Sequence, residues 1–179
     1  MSQIDLEIFR AIYSPFRSPL ADVLFWVIST SALGWLLVLL TLPFLLSKDL
    51  RFDALRQILA VLISTAAPLL KRVYPHDRPS KMLWVQEQET VYSGSFPSGH
   101  TACAFVVAVN MSFIFARRGG SRWVPMFFVW ASLVGVSRIY RGVHWPSDVL
   151  GGALLGIILG LALEFAWPKP KPKYQPAEP

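Results

Sequence analysis

The stretch VLFWVISTSALGWLLVLLTLPFLL, residues 23–46, carries no charged side chain. It is longer than the roughly 20 apolar residues that an α-helix needs to cross the hydrocarbon core of a bilayer. Of the 179 residues in the chain, 54% are hydrophobic and only 16% are charged, whereas a soluble domain carries about a quarter charged residues. The stretch therefore predicts an integral membrane protein.

Four further apolar stretches follow it, and the charged residues lie mainly between them. These stretches cover residues 54–70, 98–116, 123–137 and 149–167. Arg56, near one end of its stretch, is expected to snorkel outward. Together the stretches predict an all-α fold, a polytopic membrane helix bundle of five to six transmembrane helices, with residues 23–167 as the membrane domain.

The two ends of the chain differ from this pattern. In residues 1–22, Ile4, Ile8 and Ile12 recur at helical spacing, which predicts an interfacial helix on the membrane surface; a loosely ordered leader is the alternative. Acidic side chains near the start argue against a cleaved signal peptide. Residues 168–179, PKPKPKYQPAEP, are rich in proline and lysine and predict an extended tail.

The distribution of charge and the cysteine content argue against a nucleic-acid partner and against an internal disulfide. A net charge of +6 could indicate nucleic acid, but the basic residues are spread among the loops between apolar stretches and are interpreted as topology signals. No nucleic-acid partner is therefore expected. The single cysteine, Cys103, rules out an internal disulfide and is expected to pack as a small hydrophobic residue.

The predicted topology gathers the histidines on one side of the membrane. Five crossings would place the segment after the second stretch and the segment after the fourth on the same side, and His76, His100 and His144 all fall in these segments. The other side has an excess of lysine and arginine once the basic residues expected to take part in chemistry are discounted. That excess predicts a cytoplasmic tail and histidines that face away from the cytoplasm.

His144 and Asp148 stand four residues apart where the last apolar stretch begins. On a helix they would share a face, and the carboxylate could accept a hydrogen bond from the imidazole. Such a bond would fix the tautomer and make the second ring nitrogen a better nucleophile or base. The alternative is an interfacial histidine beside an aspartate that caps the helix.

Basic residues cluster in KRVYPHDRP, residues 71–79. If the charged groups of Lys71 and Arg78 converge, they form an anion site that is best matched to phosphate. Ordinary snorkelling is the alternative, and it is the preferred interpretation of three other basic residues, Arg72, Lys81 and Arg141. The roles of His76 and Asp77 stay open, with an arginine-orienting role as one interpretation of Asp77.

FPSGH, residues 96–100, predicts a turn that leads into an apolar helix. The N–H groups of Ser98, Gly99 and His100 would then lie at a helix N-terminus, where unpaired N–H groups and the helix dipole bind anions. His100, in the first turn, could protonate a leaving oxygen as a general acid. No convincing cluster of metal ligands accompanies these residues.

Three motifs are similar to those of a known family. Residues 71–79 read K-x-x-x-x-x-x-R-P, residues 97–100 read P-S-G-H, and residues 137–148 read S-R-x-x-x-x-x-H-x-x-x-D. Complete and in this order, they resemble the signature of the type 2 phosphatidic acid phosphatase superfamily. The resemblance covers roughly residues 54–167. The usual membrane form of that family has six spans, so a chain with five and a surface helix departs from it.

The resemblance implies a metal-independent phosphatase that needs no cofactor and acts through a phosphohistidine intermediate. It implies His144 as the nucleophile, Asp148 as the residue that activates it, and His100 as the acid for the leaving group. The residues that it implies as phosphate ligands are Lys71, Arg78, Ser98, Gly99 and Arg138.

YPHDRP, residues 74–79, and GVHWPSDVLGG, residues 142–152, look like segments of bacterial undecaprenyl-diphosphate phosphatases. This likeness implies an isoprenoid diphosphate substrate, a place in the bacterial inner membrane and an active site on the periplasmic side. Phosphatidylglycerophosphate, phosphatidic acid and lipid A phosphatases share the same core and stay as alternatives, as does a lipid phosphotransferase. The spans argue against a soluble vanadate-dependent haloperoxidase, and the complete set of ionisable residues argues against a non-catalytic lipid binder.

Gly152, Gly156 and Gly160 recur at every fourth residue in the last apolar stretch. Small residues on one stripe of a helix let another helix approach closely. The stripe predicts packing inside the bundle, with a homodimer interface as the alternative.

Overall fold

Helices make up the protein in the computed structural model, which describes residues 2–15, 17–65, 76–91 and 94–166. These ranges contain seven α-helices and no β-strand. The helices are α1 (Gln3–Tyr13), α2 (Pro19–Thr30), α3 (Gly34–Thr41), α4 (Arg51–Thr65), α5 (Gly99–Arg117), α6 (Val124–Tyr140) and α7 (Pro146–Ala166). Short 3-10 helices are present at Leu42–Leu46, Pro79–Lys81 and Ser121–Trp123. The predicted all-α class is confirmed.

α5 is the central helix, in contact with α4, α6 and α7. Its side chains Ala102, Ala104 and Ala108 are fully buried, and their small size lets the neighbouring helices pack close to its axis. α5, α7 and α6 with the turn before it are long and apolar enough to cross a membrane. α5 and α7 begin, and α6 ends, at the same end of the bundle, which we call the histidine end.

The uncharged stretch 23–46 forms two helical segments instead of one straight helix. α2 and the segment made of α3 and the following 3-10 helix meet at an angle of 59°. At the bend, the Ser31 hydroxyl accepts a hydrogen bond from the Trp130 indole at 2.9 Å. A Cβ on Gly34 would lie 2.5 Å from the Thr65 side chain, so glycine lets α3 pack directly against α4.

α4 covers Arg51–Thr65, and the rest of the second predicted stretch, residues 66–70, lies outside the described residues. The expectation that Arg56 snorkels outward is wrong. Its side chain is buried and forms salt bridges with Asp53 and Glu164, because these carboxylates give it partners inside the bundle. The predicted tail also lies outside the described residues.

α1 confirms the helix predicted near the start of the chain. Ser2 caps its first turn. Ile4 and Ile8 are exposed, whereas Phe9 and Tyr13 are buried in an aromatic cluster at the histidine end. The helix therefore covers the end of the bundle with one face, and its contact with the membrane surface through the other face stays a prediction.

The glycine stripe of α7 packs against α5. A Cβ on Gly152 would lie 2.5 Å from the Ser98 carbonyl oxygen, and one on Gly156 would lie 2.5 Å from that of Ala102. Gly160 faces Val109 in the same way. The stripe is thus used inside one chain, as predicted, and is not exposed for the alternative homodimer interface.

Candidate active site

Three segments that are far apart in the sequence meet at the histidine end. The Ser95 N–H donates to the His76 carbonyl at 2.8 Å, and the Ser98 N–H donates to the Asp148 carbonyl at 3.0 Å. A cavity of about 240 Å³ lies where the segments meet. Its polar lining includes Arg78, Glu89, His100, Arg138 and His144. The structure thus brings both candidate catalytic histidines to one cavity.

His144 lies in the turn between α6 and α7 and is 2% exposed. Burial, with a smaller effect of the positive charges of Arg138 and Arg78, lowers its pKa to about 3, although the hydrogen bonding and charge of Asp148 act in the opposite direction. The imidazole is therefore neutral at neutral pH. Its Nε2 lies 3.4 Å from a guanidinium nitrogen of Arg78, on the side of the cavity. A neutral ring in this position has the electron pair that a nucleophile needs.

Asp148 is completely buried in the first turn of α7. Its Oδ2 accepts hydrogen bonds from the Trp145 N–H at 2.7 Å and from the Ser95 hydroxyl. Its Oδ1 is 3.0 Å from Nδ1 of His76. Nδ1 of His144 lies 3.4 Å from Oδ2, longer than an ordinary N–H···O hydrogen bond. Asp148 therefore accepts a hydrogen bond from a backbone N–H at the start of α7, as a capping residue does, and it also faces His144. The capping role and the histidine-partner role of this aspartate are thus compatible.

The helical spacing argument for this pair is wrong, although the two side chains are neighbours. α7 begins at Pro146, so His144 precedes the helix that carries Asp148. The proline sets this boundary because its ring fits the first turn of a helix and cannot continue one from the preceding residue.

Arg78 and Arg138 are buried guanidinium groups on the cavity wall. Arg78 donates to the carbonyl oxygens of Val143 at 2.6 Å and Gly94 at 3.0 Å. Burial, and after it the charge of Arg138, lowers the pKa of Arg78 from its ordinary value. Two buried cations that repel each other electrostatically are stabilised by an anion bound between them.

Glu89 is the functional candidate that sequence reasoning missed. Its two carboxylate oxygens accept from two nitrogens of Arg138 at 2.9 and 3.0 Å, and one of them is 3.2 Å from Arg141. Burial raises the pKa of Glu89, but the hydrogen bonds and charge of Arg138, with His100 and Arg141, lower it to about 2. A paired, two-point contact of this kind is also how an arginine binds phosphate. No motif marks this residue in the loop sequence QEQET.

Of the three residues at the start of α5 whose N–H groups are predicted to bind an anion, two line the cavity. Gly99 and His100 line it, and a Cβ on Gly99 would have no atom within 4 Å, which leaves room for a ligand to approach. Ser98 is fully buried, and its N–H is already used by the Asp148 carbonyl. Its hydroxyl accepts from Thr101 at 2.9 Å.

The remaining basic residues of the two motifs have different roles. Snorkelling is the wrong interpretation of Arg141, which is 4% exposed and contacts Glu89, because the loop before α5 folds over it. Lys81 is exposed and pairs with the exposed side chain of Asp77, so within the described residues the salt-bridge partner of the Asp77 carboxylate is a lysine and not an arginine. Two other candidates, Lys71 and Arg72, lie outside the described residues.

Among the residues that the structure describes, no three His, Cys, Asp or Glu side chains are grouped so that they could hold a metal ion. The charge in the cavity is instead supplied by guanidinium groups.

Comparison with known proteins agrees with this geometry. The family model described as the PAP2 superfamily matches residues 53–171, well over half of the chain and all three motifs. The chain belongs to the PAP2 superfamily. The resemblance found in the motifs is confirmed.

Solved structures and a curated relative support membership of the PAP2 superfamily. The crystal structure of LpxE from Aquifex aeolicus is 33% identical, covers 92% of this chain and 96% of its own, and has a TM-score of 0.78. A PAP2-type phosphatidylglycerolphosphate phosphatase from Bacillus subtilis is 27% identical, covers 90% and 83%, and has a TM-score of 0.73. Undecaprenyl-diphosphatase BcrC of Bacillus subtilis is 29% identical over 88% of this chain and 81% of its own length.

Other curated relatives are matched over a smaller part of their length. The chain spans 34%, 15% and 46% of three of them, so the alignment covers a shared core and not whole proteins. The candidate membrane-spanning helices and the similarity to the transmembrane phosphatase of Bacillus subtilis make this protein a membrane-embedded member of the family.

Proposed function

We propose that this protein is a metal-independent lipid phosphatase that hydrolyses the terminal phosphate of an isoprenoid diphosphate, undecaprenyl diphosphate, through a phosphohistidine. The observation that carries the proposal is the cavity that both His100 and His144 line. There Arg138 already holds an oxyanion, the carboxylate of Glu89, at both of its terminal nitrogens. A phosphate group can replace that carboxylate because it offers the same pair of oxygens with more negative charge.

The first half of the reaction forms the phosphoenzyme. Nε2 of His144 attacks the terminal phosphorus, and the bond between that phosphorus and the bridging oxygen breaks. His100, protonated once the negatively charged phosphate is bound beside it, gives its proton to the departing oxygen, while Arg78 and Arg138 stabilise the charge on the transferring phosphoryl group. The resulting cationic ring is stabilised by the carboxylate of Asp148.

The second half consumes water. His100, now neutral, takes a proton from a water molecule as that water attacks the phosphohistidine. The bond between phosphorus and Nε2 breaks, inorganic phosphate leaves, and both histidines return to their starting state. Lys71 is proposed as a further phosphate ligand on the family motif alone.

The relative named undecaprenyl-diphosphatase favours the isoprenoid diphosphate as substrate. Its alignment with this chain covers 81% of the relative's length. The phosphatidylglycerolphosphate phosphatase neighbour favours a glycerophospholipid instead, and it is the second candidate. With either substrate we place the protein in the bacterial inner membrane with the cavity on the periplasmic side. This orientation rests on the excess of basic residues on the other side of the membrane, once the basic residues expected to take part in chemistry are discounted.

A substrate panel in detergent with EDTA tests this proposal. Undecaprenyl diphosphate, phosphatidylglycerophosphate, phosphatidic acid and lipid A would be supplied with a labelled terminal phosphate. We expect label to be released as inorganic phosphate, fastest from the isoprenoid diphosphate. Label that moves to an acceptor lipid would indicate a phosphotransferase, and substrates unchanged after incubation would contradict catalysis.

A further inference from the structure

The carboxylate of Asp148 has more partners than are needed to accept a hydrogen bond at the start of α7 and to face His144. Oδ2 accepts from Trp145 and Ser95 and faces His144, whereas Oδ1 contacts Nδ1 of His76 at 3.0 Å. We propose that His76 is a positioning residue for the phosphatase reaction, which holds Oδ1 so that Oδ2 stays directed at the nucleophilic ring. This inference rests on the proposed function, since it assigns a partner to the activating aspartate.

His76 acts as a hydrogen-bond donor in this arrangement. Asp148 is completely buried, and burial of a carboxylate without hydrogen bonds is strongly unfavourable. The carboxylate only accepts, so Nδ1 of His76 carries the proton of this contact. The contact therefore fixes the tautomer of His76 as well as the rotation of the carboxylate.

The backbone joins the two contacts to the carboxylate. The carbonyl of His76 accepts from the N–H of Ser95 at 2.8 Å, and the side chain of Ser95 binds the other carboxylate oxygen. The next carbonyl, that of Asp77, accepts from the Trp145 indole at 2.7 Å. His76 and Ser95 thus each hydrogen-bond to a different oxygen of the Asp148 carboxylate. The loop that carries His76 is also hydrogen-bonded to Trp145, the residue after His144.

These hydrogen bonds to the Asp148 carboxylate matter most after His144 has become phosphorylated. The ring is then a cation whose Nδ1–H needs an acceptor, and the present separation of 3.4 Å from Oδ2 must shorten. A carboxylate free to rotate would offer that oxygen only part of the time. Partners that orient a catalytic group through hydrogen bonds in this way typically change activity 10–100-fold when they are removed, as is known for the residues behind metal ligands.

Three variants of His76 separate positioning from packing. His76→Ala removes the donor, His76→Asn keeps an amide N–H near the place of Nδ1, and His76→Gln moves the N–H toward the place of Nε2. We expect His76→Ala and His76→Gln to lower kcat about 10–100-fold with KM within about two-fold, and His76→Asn to recover most of the loss. Asp77→Asn, on an exposed side chain of the same loop, is the matched control and should leave kcat unchanged.

A double-mutant cycle with Asp148 gives the second readout. If His76 acts only through Asp148, His76→Ala should cause no further loss in an Asp148→Ala background. Equal kcat for His76→Ala and the unchanged protein, an effect confined to KM, or no recovery in folded His76→Asn would overturn the inference. Activity retained in His144→Ala would instead overturn the proposed mechanism, so the two failures are distinguishable.

Discussion

The two ends of the helical bundle both contain buried arginines and carboxylates, but they are arranged differently. At the opposite end, Asp53 and Glu164 each accept from at least two guanidinium groups, supplied by Arg56, Arg117 and Arg118. At the histidine end, the carboxylate of Glu89 is shared by Arg138 and Arg141 beside a cavity that two histidines line.

The difference indicates which end can bind a substrate anion. At the opposite end each of the two carboxylates is already held by two or three guanidinium groups. The larger cavity there, about 670 Å³, is lined by apolar residues such as Phe44, Met111 and Ile114, together with Asp53 and Arg118 of this network. At the histidine end, the proposed substrate phosphate would take the place of the Glu89 carboxylate. Ion pairs between buried arginines and carboxylates are a common feature of a fold, whereas arginines that share a cavity with two histidines mark a candidate site.

Removal of Arg138 should have the largest effect of the changes that probe this comparison. Arg138→Ala takes away a ligand of the transferring phosphoryl group and leaves Glu89 in the cavity without its main partner. We expect kcat/KM to fall about a thousand-fold, at the upper limit for loss of one charge-stabilising donor. Phosphate release by purified enzyme measures it. Arg118→Ala, at the opposite end, is the control and should stay within about two-fold; an equal loss in both would remove the distinction between the ends.

Glu164→Ala should affect stability and not chemistry. It leaves Arg56 buried with one carboxylate partner fewer, and breaking a buried ion pair costs about 3 kcal/mol of unfolding free energy. Denaturant unfolding in detergent would show this loss, while kcat per folded molecule should stay unchanged. A lower kcat with unaltered stability would mean that the opposite end takes part in catalysis.

The free energy of unfolding should fall at acidic pH because His144 is buried and neutral in the folded protein. Its ordinary pKa of 6.5 applies in the unfolded chain and a pKa of about 3 in the folded protein, so the unfolded state binds more protons between these values. Stability from this residue is therefore present above pH 6.5 and is lost as the pH falls, by at most about 1.4 kcal/mol per pH unit. Unfolding at pH 7 and pH 5 should show a smaller pH effect in His144→Gln. An identical pH effect in both would contradict the buried, neutral ring.

Glu89→Gln should have the smallest effect, because it keeps the shape of the side chain and removes only its charge. If Glu89 occupies the place of the substrate phosphate, the variant should bind orthovanadate several-fold more tightly, since the competing anion is gone. Inhibition of phosphate release by vanadate gives the affinity. Weaker inhibition in the variant would show that Glu89 supports anion binding instead of competing with it.

Much of the fold could be predicted from apolar runs and charge gaps. The three helices α5, α6 and α7 match predicted stretches because their length and composition allow little else in a membrane protein. The bend near Ser31 and the burial of Arg56 could not be predicted, since each depends on partners from other helices, Trp130 and Glu164. Hydropathy contains no information on such pairs.

The candidate site was predictable where residues belong to motifs and not elsewhere. His100 and His144 were identified by residue type and position, and Arg138 through the family resemblance; the structure places all three on one cavity. Glu89 and Ser95 lie in a loop with several similar polar residues, so only the folded backbone distinguishes them. Ser98 was identified, but which N–H groups are already used depends on the packing of α7 against α5.

The central claim is that Nε2 of His144 becomes covalently attached to phosphorus. The most direct measurement is rapid quenching of the purified protein with labelled undecaprenyl diphosphate in EDTA, followed by peptide mapping under alkaline conditions, in which phosphohistidine is stable. The account predicts label on the peptide that contains residue 144, and none in His144→Gln. Label at another residue, or rapid turnover by His144→Gln, would contradict it.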